Sequence, residues 1–396
     1  MPNGIVVLPT KNKSAVATVI TSTTVIGVVG TCFLTGIDAG QQIMLNLPAN
    51  KGLLRFSDAD KALEVFKDLV GTIREDLHDI SKQNVKSPVI VSVVALDEAK
   101  HIDKPVSTFY DDAEIKTAVL TAIDNLKFAR TVYASKVRIP VAGWFTHDTT
   151  VRDAMASYTI ATKTISIVNF NFQNVGDALV ELKKLGSQRL LAVPFFRNVW
   201  SVFENKMIEK PYSSIIAGHI AYWDAMLGEF GTCFDHANRI IYDAGTPTVA
   251  LFYEEGVDTC DVNVIVNAGG CLVINDDGNR LYNFETPSDD TRFNKLETVR
   301  YFDTHNENIQ KTLKRHKHRP LTEVLQLAKA DVEAFLLKSK NSGATVGSFV
   351  GWSDKNTKAE ISAGIIYLDW DAGNNVGVRA IVMQPSASSE YYTVEV

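Results

Sequence analysis

Val89-Ile-Val-Ser-Val-Val-Ala-Leu96 begins the stretch of sequence that decides the fold. This apolar, β-branched run predicts a buried strand. The patterns that follow it alternate, with strands predicted at 137–144, 164–170 and 189–193 and helices predicted at 113–129, 149–161 and 175–185. Strands and helices that alternate at this spacing predict an α/β fold with a doubly wound, mostly parallel sheet.

A second hydrophobic stretch lies upstream. Residues 15–37 contain no charged side chain and follow Lys11 and Lys13, as in a signal peptide or a membrane span. Seven of these 23 residues are Ser or Thr, however, and half of the others are Val or Ile. This composition favours a buried strand at 24–29 over an apolar helix, and we expect no membrane insertion. The β-forming, polar-interrupted residues before it predict an extended arm.

In the second half of the chain the regular alternation of strands and helices ends, and the mixture of predicted helices and strands indicates an α+β domain. A hairpin is indicated at Asp276-Asp277-Gly278-Asn279, whose composition is typical of a tight turn between two strands. The other elements predicted outside the alternating region are helices starting after Ser57 (capped by Ser57) and at 212–227, 262–267, 296–315 and 321–340, and strands at 271–274, 280–284, 361–370 and 376–383.

Composition excludes several classes of protein. The chain has 396 residues, of which 45% are hydrophobic and 22% charged, and its formal charge is −6. A dedicated duplex-DNA binder needs a large basic surface, which this balance argues against. The four cysteines, Cys32, Cys233, Cys260 and Cys271, form no CxxC pair, which argues against a zinc site or a disulfide framework. They are predicted to be buried thiols in a reducing compartment.

Catalytic motifs are scarce. No GxSxG elbow, Walker loop or HExxH is present, and Gly27-Val-Val-Gly30 lacks the third glycine and the following helix of a dinucleotide-binding loop. One candidate remains at Thr146-His147-Asp148-Thr149, where His147 and Asp148 follow a predicted strand and could form half of an acid–base site. The alternative is a polar loop in which Asp148 or Thr149 caps the next helix. His316 and His318 are spaced wrongly for a metal on one helix face, and we expect no metal or cofactor.

A basic segment stands out at 311–319. Its five cations are Lys311, Lys314, Arg315, Lys317 and Arg319, and it contains no acid. One interpretation is a solvated helix end, where cations favour the helix dipole. The other is a docking patch for an acidic protein surface. Nucleic acid is disfavoured because no aromatic residue interleaves the charges.

The order of these pieces resembles the tail sheath proteins of contractile phage tails and R-type pyocins. The stretches that carry the resemblance are Thr23-Thr-Val-Ile-Gly-Val-Val-Gly30, Gly186-Ser-Gln-Arg-Leu-Leu-Ala-Val-Pro194 with Trp200, Tyr212-Ser-Ser-Ile-Ile-Ala-Gly218 with Asp224, Ile274-Asn-Asp-Asp-Gly-Asn-Arg-Leu-Tyr282 with Ser288-Asp289-Asp290, and Ala363-Gly-Ile-Ile-Tyr367 with Asp369 and Asp371. Together they cover most of the chain.

The resemblance implies a domain layout. Residues 1–22 would form an N-terminal arm, 23–88 the first part of a core α+β domain, and 89–200 an outer α/β domain. Residues 201–370 would complete the core domain with the C-terminal region typical of sheath proteins, and 371–396 would form a C-terminal arm. The arm residues expected to add strands to neighbouring subunits are Ile5, Val7, Val16, Val19, Val376, Val378 and Ile381.

The resemblance also implies a structural role without catalysis. Such subunits polymerise as stacked hexameric rings around an inner tail tube and contract to drive the tube through a cell envelope. The expected partners are other copies of this chain, the tube protein, and baseplate and tail terminator or neck proteins, with no direct contact to nucleic acid. The particle would be a virion tail sheath or a pyocin, made in the bacterial host cytoplasm. The basic segment would dock on an acidic tube. The alternative is a soluble α/β enzyme or ligand-binding protein that uses His147 and Asp148.

Overall fold

The computed structural model describes residues 20–101, 104 and 106–377. The strands are β1 Ile20–Thr21, β2 Ile26–Cys32, β3 Leu53–Phe56, β4 Val85–Lys86, β5 Val89–Ala95, β6 Ile139–Val141, β7 Ser166–Asn169, β8 Leu190–Val193, β9 Arg197–Ser201, β10 Lys206–Lys210, β11 Arg239–Ile240, β12 Thr246–Pro247, β13 Val273–Asn275, β14 Asn279–Leu281, β15 Thr345–Trp352 and β16 Leu368–Asn374. The helices are α1 Ala39–Asn46, α2 Ala59–Phe66, α3 Thr72–Ser81, α4 Glu98–His101, α5 Ala113–Asn125, α6 Ala129–Tyr133, α7 Thr149–Thr162, α8 Val175–Leu185, α9 Ser213–Met226, α10 Asp261–Asn267, α11 Leu296–Lys314, α12 Leu321–Asn341 and α13 Lys358–Ser362.

A six-stranded sheet organises the first half of the chain. Its strand order is β3-β5-β2-β6-β7-β8, in which β3 is antiparallel to β5 and the other neighbours are parallel. The mostly parallel α/β sheet predicted from the alternating pattern is therefore confirmed. Small antiparallel sheets, including the predicted hairpin β13–β14, supplement it. Among the residues that the structure describes, no helix is long and apolar enough to cross a membrane.

Hydrophobic side chains cover both faces of this sheet, as a doubly wound arrangement requires. In β2, Ile26 and Val28 belong to one core, together with residues of α2, α3 and α9. The neighbouring Val29 belongs to a second core, which α5, α7 and α8 close. Successive residues of a strand point to opposite faces, so an unbroken apolar strand is one that is buried on both sides.

The glycines of β2 serve close packing rather than nucleotide binding. A Cβ atom on Gly27 would lie 2.7 Å from the Val137 side chain. On Gly30 it would lie 2.7 Å from Thr72 Oγ1 and 2.8 Å from Ile73 Cγ1. Both glycines lie inside the strand, so the Gly-x-x-Gly pattern lets the layers on either face approach β2.

The division expected at residue 88 does not follow the sheet. β2 and β3 come from the predicted first part of the core domain, and both pair with β5 of the predicted outer domain. Residues 371–374, expected in the C-terminal arm, are the end of β16. Apolar patterns show that a strand is buried but not which strand it pairs with, and the domain boundaries stay a prediction.

Several elements differ from the sequence prediction. Asp58, rather than Ser57, caps α2 by accepting a hydrogen bond from the Lys61 amide (2.9 Å). The helix predicted over 113–129 ends at Asn125 and is followed by a 3-10 turn and α6. Part of the strand predicted over 361–370 is helix α13, and β15 was missed because its glycines and exposed residues obscure the strand pattern.

The C-terminal module comprises α11, α12, β15 and β16. Val332 and Leu336 of α12 and Val350 of β15 are buried in its apolar core. Beside them, the Tyr301 hydroxyl and the Ser339 hydroxyl each lie 2.7 Å from Thr345 Oγ1. This core is separate from the two that flank the six-stranded sheet. Along α12, Leu321 and Leu325 are exposed, whereas Ala328 and Val332 are buried.

Candidate assembly surfaces

The two-stranded sheet of the C-terminal module has two open edges. β15 and β16 pair antiparallel from Thr345–Asn374 to Trp352–Leu368, with a bulge between Thr345 and Gly347. Within residues 20–101, 104 and 106–377, neither strand pairs with a third. Unpaired strand edges present a row of backbone donors and acceptors, to which another chain can add a strand.

One face of this sheet is covered and the other is open. Val350 and Ala372 point into the module core. Phe349 points the other way, is 68% exposed and pairs across the ladder with Asp371. Its ring lies close to Gly351, where a Cβ atom would be 2.9 Å away. An exposed aromatic side chain beside an open edge is typical of an interaction surface.

The first residues that the structure describes are held in place before β2. Ile20 pairs in parallel with Val85, and the Ser22 amide donates to the Lys86 carbonyl (2.8 Å). Thr24 is buried, and its hydroxyl donates to Asp224 Oδ2 on α9 (2.6 Å). Residues 20–26, here called the N-terminal root, are therefore tied down immediately before β2.

The C-terminal segment is tied down as well. Asn374 Nδ2 donates to Thr298 Oγ1 on α11 (2.9 Å), and the Asn375 amide donates to the carbonyl just before β15 (3.0 Å). Gly377 lies against Asp235, because a Cβ atom there would be 2.8 Å from Asp235 Oδ2. Residues 372–377 are here called the C-terminal root.

Most of the predicted arm residues lie outside the part of the chain that the structure describes. These are Ile5, Val7, Val16, Val19, Val378 and Ile381. Val376 follows β16 directly and is 43% exposed. The strand-adding role of all seven stays a prediction.

The basic segment connects α11 to α12, and all five of its cations are exposed. Three of them pair with acids on the same helices: Lys311 with Glu307 (3.3 Å), Arg315 with Asp331 (3.0 Å from Nε), and Arg319 with Glu323 (2.5 Å). His316 is buried and also contacts Asp331 (2.5 Å). Burial raises the pKa of Asp331, but its bonds to Arg315 and His316 more than offset this and lower it.

Lys314 and Lys317 differ from the other three. Neither has an acidic partner within 4.0 Å among the described residues. Acidic partners therefore neutralise part of the predicted patch, and only the ammonium groups of Lys314 and Lys317 lack an acidic partner among the described residues. A tube-docking role for the segment stays a prediction, and these two lysines are its strongest carriers.

His147 and Asp148 are engaged in local structure. Asp148 caps α7 by accepting from the Thr150 amide (2.8 Å), and it pairs with Lys116 (2.8 Å). The Lys116 bond lowers the pKa of Asp148, while burial lowers the pKa of His147. The capping alternative is therefore confirmed, and this geometry does not favour an acid–base site.

The cysteine prediction is confirmed as to burial. Cys32, Cys233, Cys260 and Cys271 are all buried and free. Burial raises the pKa of the Cys32 and Cys233 thiols to about 12. Such thiols are neutral and unreactive at physiological pH.

Comparison with known proteins completes the assignment. No protein-family model matches the sequence. The chain is 26% identical over 249 residues to a putative prophage major tail sheath protein of Pseudomonas aeruginosa (strain UCBPP-PA14). The match covers 62% of this chain and 64% of that protein, less than two thirds of the relative's length.

Solved structures share the fold over nearly the whole chain. A chain of the anti-feeding prophage baseplate matches with a TM-score of 0.65 at 13% identity, over 98% of this chain and 100% of that one. The contracted sheath complex of the extracellular contractile injection system PVC gives 0.64 at 12% identity, over 98% and 99%. The contracted helical sheath of the anti-feeding prophage gives 0.63 at 15% identity, over 98% and 100%. The similarity in sequence and the shared fold both agree with the resemblance to the contractile tail sheath proteins, which is confirmed.

Proposed function

We propose that this chain is a structural subunit of a contractile sheath, in a phage tail, a pyocin or an extracellular contractile injection system. The observation that carries the proposal is the β15–β16 sheet, whose two outer edges are unpaired among the described residues. Such an acceptor suits a polymer whose subunits are linked by exchange of strands.

The terminal segments have the reach for this exchange. Residues 1–19 precede the N-terminal root and 378–396 follow the C-terminal root, 19 residues each. Extended, each spans at most about 65 Å. Strands added by neighbours would satisfy the edges of β15 and β16 and cover Phe349. Because donor and acceptor surfaces differ, the contact is heterologous and generates an open helix.

The sheath geometry follows from the same proposal. Copies would form stacked hexameric rings around an inner tube and connect to baseplate and neck proteins at the ends. Contraction would slide the globular bodies between two packings while the strand links keep them tethered, as in a bistable interface. The driven tube would then cross a cell envelope.

Deletion of residues 1–15 tests the linking role. The shortened chain should keep the circular dichroism and the unfolding midpoint of the full chain, because the N-terminal root and β2 remain. It should not form cylinders in negative-stain micrographs. A matched chain with residues 1–15 replaced by a Gly/Ser sequence of equal length controls for length alone. Normal cylinders from either chain would refute strand donation by this segment.

Docking on the tube is the second part of the proposal. Lys314 and Lys317 would face an acidic tube surface, where charge complementarity fixes the orientation of the two partners. The double variant Lys314→Glu, Lys317→Glu should abolish assembly on tubes and leave folding intact. Lys67→Glu, Lys183→Glu is the matched control, because both lysines are exposed, Lys67 at the C-terminal cap of α2 and Lys183 in α8. Unchanged assembly of the first variant would contradict docking.

A further inference from the structure

The two terminal roots converge on one buried polar network. Thr24, Asp224, His236 and Arg300, here called the arm-root clasp, are each at most 6% exposed. They are far apart in sequence, and the structure brings them together where the chain enters β2, where α9 ends and where α11 begins.

Asp224 is the centre of the clasp. Its Oδ2 accepts from the Thr24 hydroxyl (2.6 Å) and from Arg300 Nη2 (2.6 Å). Its Oδ1 lies 2.8 Å from His236 Nε2, which is 3.2 Å from Arg300 Nη1. The shorter distance assigns the Nε2 proton to the bond with Asp224. A carboxylate with three such partners is well satisfied, and each partner depends on it.

Burial makes these bonds strong constraints on position. Arg300 is a buried cation whose ion pair is with Asp224, so it cannot move away without leaving an uncompensated charge. Burial raises the pKa of Asp224, but Arg300 and His236 more than offset this and hold the pKa well below its ordinary value. The carboxylate is therefore ionised at neutral pH.

The C-terminal root is attached to the same elements. Thr298, which accepts from Asn374, lies in the first turn of α11 two residues before Arg300. Asp235, which contacts Gly377, directly precedes His236. Two of the three contacts of the C-terminal root are thus made with residues one or two positions from members of the clasp.

We propose that Asp224 is a positioning residue that holds the exits of both terminal segments on one anchor. If one root is displaced, the other is displaced as well, so the two arms are mechanically coupled through the subunit. This inference rests on the proposed function, in which the arms bind neighbouring subunits. The coupling itself is a property of the isolated chain.

Hydrogen–deuterium exchange on the purified, unassembled full chain tests the coupling. The Ser22 and Asn375 amides report on the N-terminal and C-terminal roots, because each is hydrogen bonded there. Thr24→Val removes the hydroxyl that binds Asp224, with little change in shape. A hydrogen bond to a buried charge supports roughly a tenfold or greater change in local opening. We expect exchange to rise by about this factor at both roots, and Thr24→Ser to restore the original rates.

Thr286→Val is the matched control. Its hydroxyl is also buried and donates to the Asn294 carbonyl (3.0 Å), outside the clasp. Exchange at the two roots should match that of the original chain. A rise confined to the N-terminal root in Thr24→Val would mean separate anchors and would overturn the proposal.

Two further variants keep the test decisive. Asp224→Asn should raise exchange at both roots by more than Thr24→Val, because Arg300 loses its counter-charge. If this variant does not fold, Asn374→Ala gives the reciprocal test from the C-terminal side and should raise exchange at Ser22. No change at Ser22 would contradict a shared anchor. Micrographs of the unaltered chain report separately on polymerisation, so failure of the sheath proposal remains distinguishable from failure of the clasp.

Discussion

The six-stranded sheet and the sheet of the C-terminal module differ in the pairing of their edges and in the burial of their strands. Outside β8, the sheet is continued by the Cys271 amide, which donates to the Ala192 carbonyl (2.7 Å), and all seven residues of β2 are buried. In β15, only two of eight residues are buried, and both strands of its sheet keep an open edge. Among the described residues, the β8 side of the six-stranded sheet is therefore covered and only β3 keeps an unpaired edge, whereas the module sheet is open along both of its strands.

The two regions also offer a comparison between a buried ion cluster and an exposed ion pair. In the body, Lys210 Nζ lies 2.8 Å from both Glu75 Oε2 and Asp79 Oδ1, and all three side chains are buried. In the module, Lys338 pairs with Glu229 (2.6 Å) on a solvated surface. Buried ions need their partners, whereas exposed pairs contribute little. Substitutions should therefore separate the two regions by their effect on folding.

The largest expected effect is at the buried ion cluster. Lys210→Met leaves Glu75 and Asp79 short of a partner and should lower the free energy of unfolding by about 3–5 kcal/mol. Lys338→Met in the module should lower it by less than about 1 kcal/mol. Urea unfolding of both variants measures the difference, and equal midpoints would break the contrast.

Backbone crowding should give the next largest effect. Gly71 has φ 153°, and a Cβ atom there would lie 2.0 Å from the Thr31 carbonyl of β2. Gly71→Ala should cost about 3 kcal/mol, since both the conformation and the contact become strained. Gly347 of β15 has open space around its Cα, and Gly347→Ala should stay within about 0.5 kcal/mol. Thermal unfolding compares them; similar losses would show that β15 is as closely packed as β2.

Protonation of Asp76 should change the free energy of unfolding in a defined direction. Burial raises the pKa of Asp76 to about 7, while Ser214 donates a hydrogen bond to it (2.6 Å). The folded state then holds this proton more tightly than the unfolded state, so stability falls as pH rises from about 4 to 7. Asp76→Asn removes the titrating carboxyl and should therefore flatten that fall. Unfolding free energies measured from pH 4 to 8 check this, and an unchanged slope would contradict the shifted pKa.

The smallest effect on folding is expected at the open face of the module. Phe349→Ser removes an exposed ring and should change stability by less than about 0.5 kcal/mol. The same substitution should weaken polymerisation if neighbouring strands cover this face. Sedimentation of assembled material, with Phe252→Ser as the matched exposed control, measures that loss. A large drop in monomer stability instead would show that Phe349 already belongs to a core.

Sequence patterns predicted the sheet better than the module for a physical reason. Strands β5, β7 and β8 are apolar on both sides, so their residues alone signal burial. β15 contains Gly347 and Gly351 and exposes Phe349, which leaves no regular alternation. Its pairing with β16 also depends on a bulge, which sequence spacing does not reveal.

In the candidate sites, too, local features could be predicted from the sequence and long-range contacts could not. The basic segment is contiguous, so its charge was visible in the sequence. Its pairs with Glu307 and Glu323 are local contacts four residues apart, and only the pair of Arg315 with Asp331 depends on how α11 and α12 pack. Asp224 lies in a stretch that carries the family resemblance, yet nothing local indicates its bonds to Thr24 and Arg300. Long-range polar contacts of this kind have no sequence period and become visible only in the fold.

Negative-stain microscopy of the purified full-length chain tests the sheath proposal most directly. We expect long cylinders built from stacked rings, formed by the chain alone or on added tubes. A uniform small oligomer or a monomer under all of these conditions would contradict a sheath subunit.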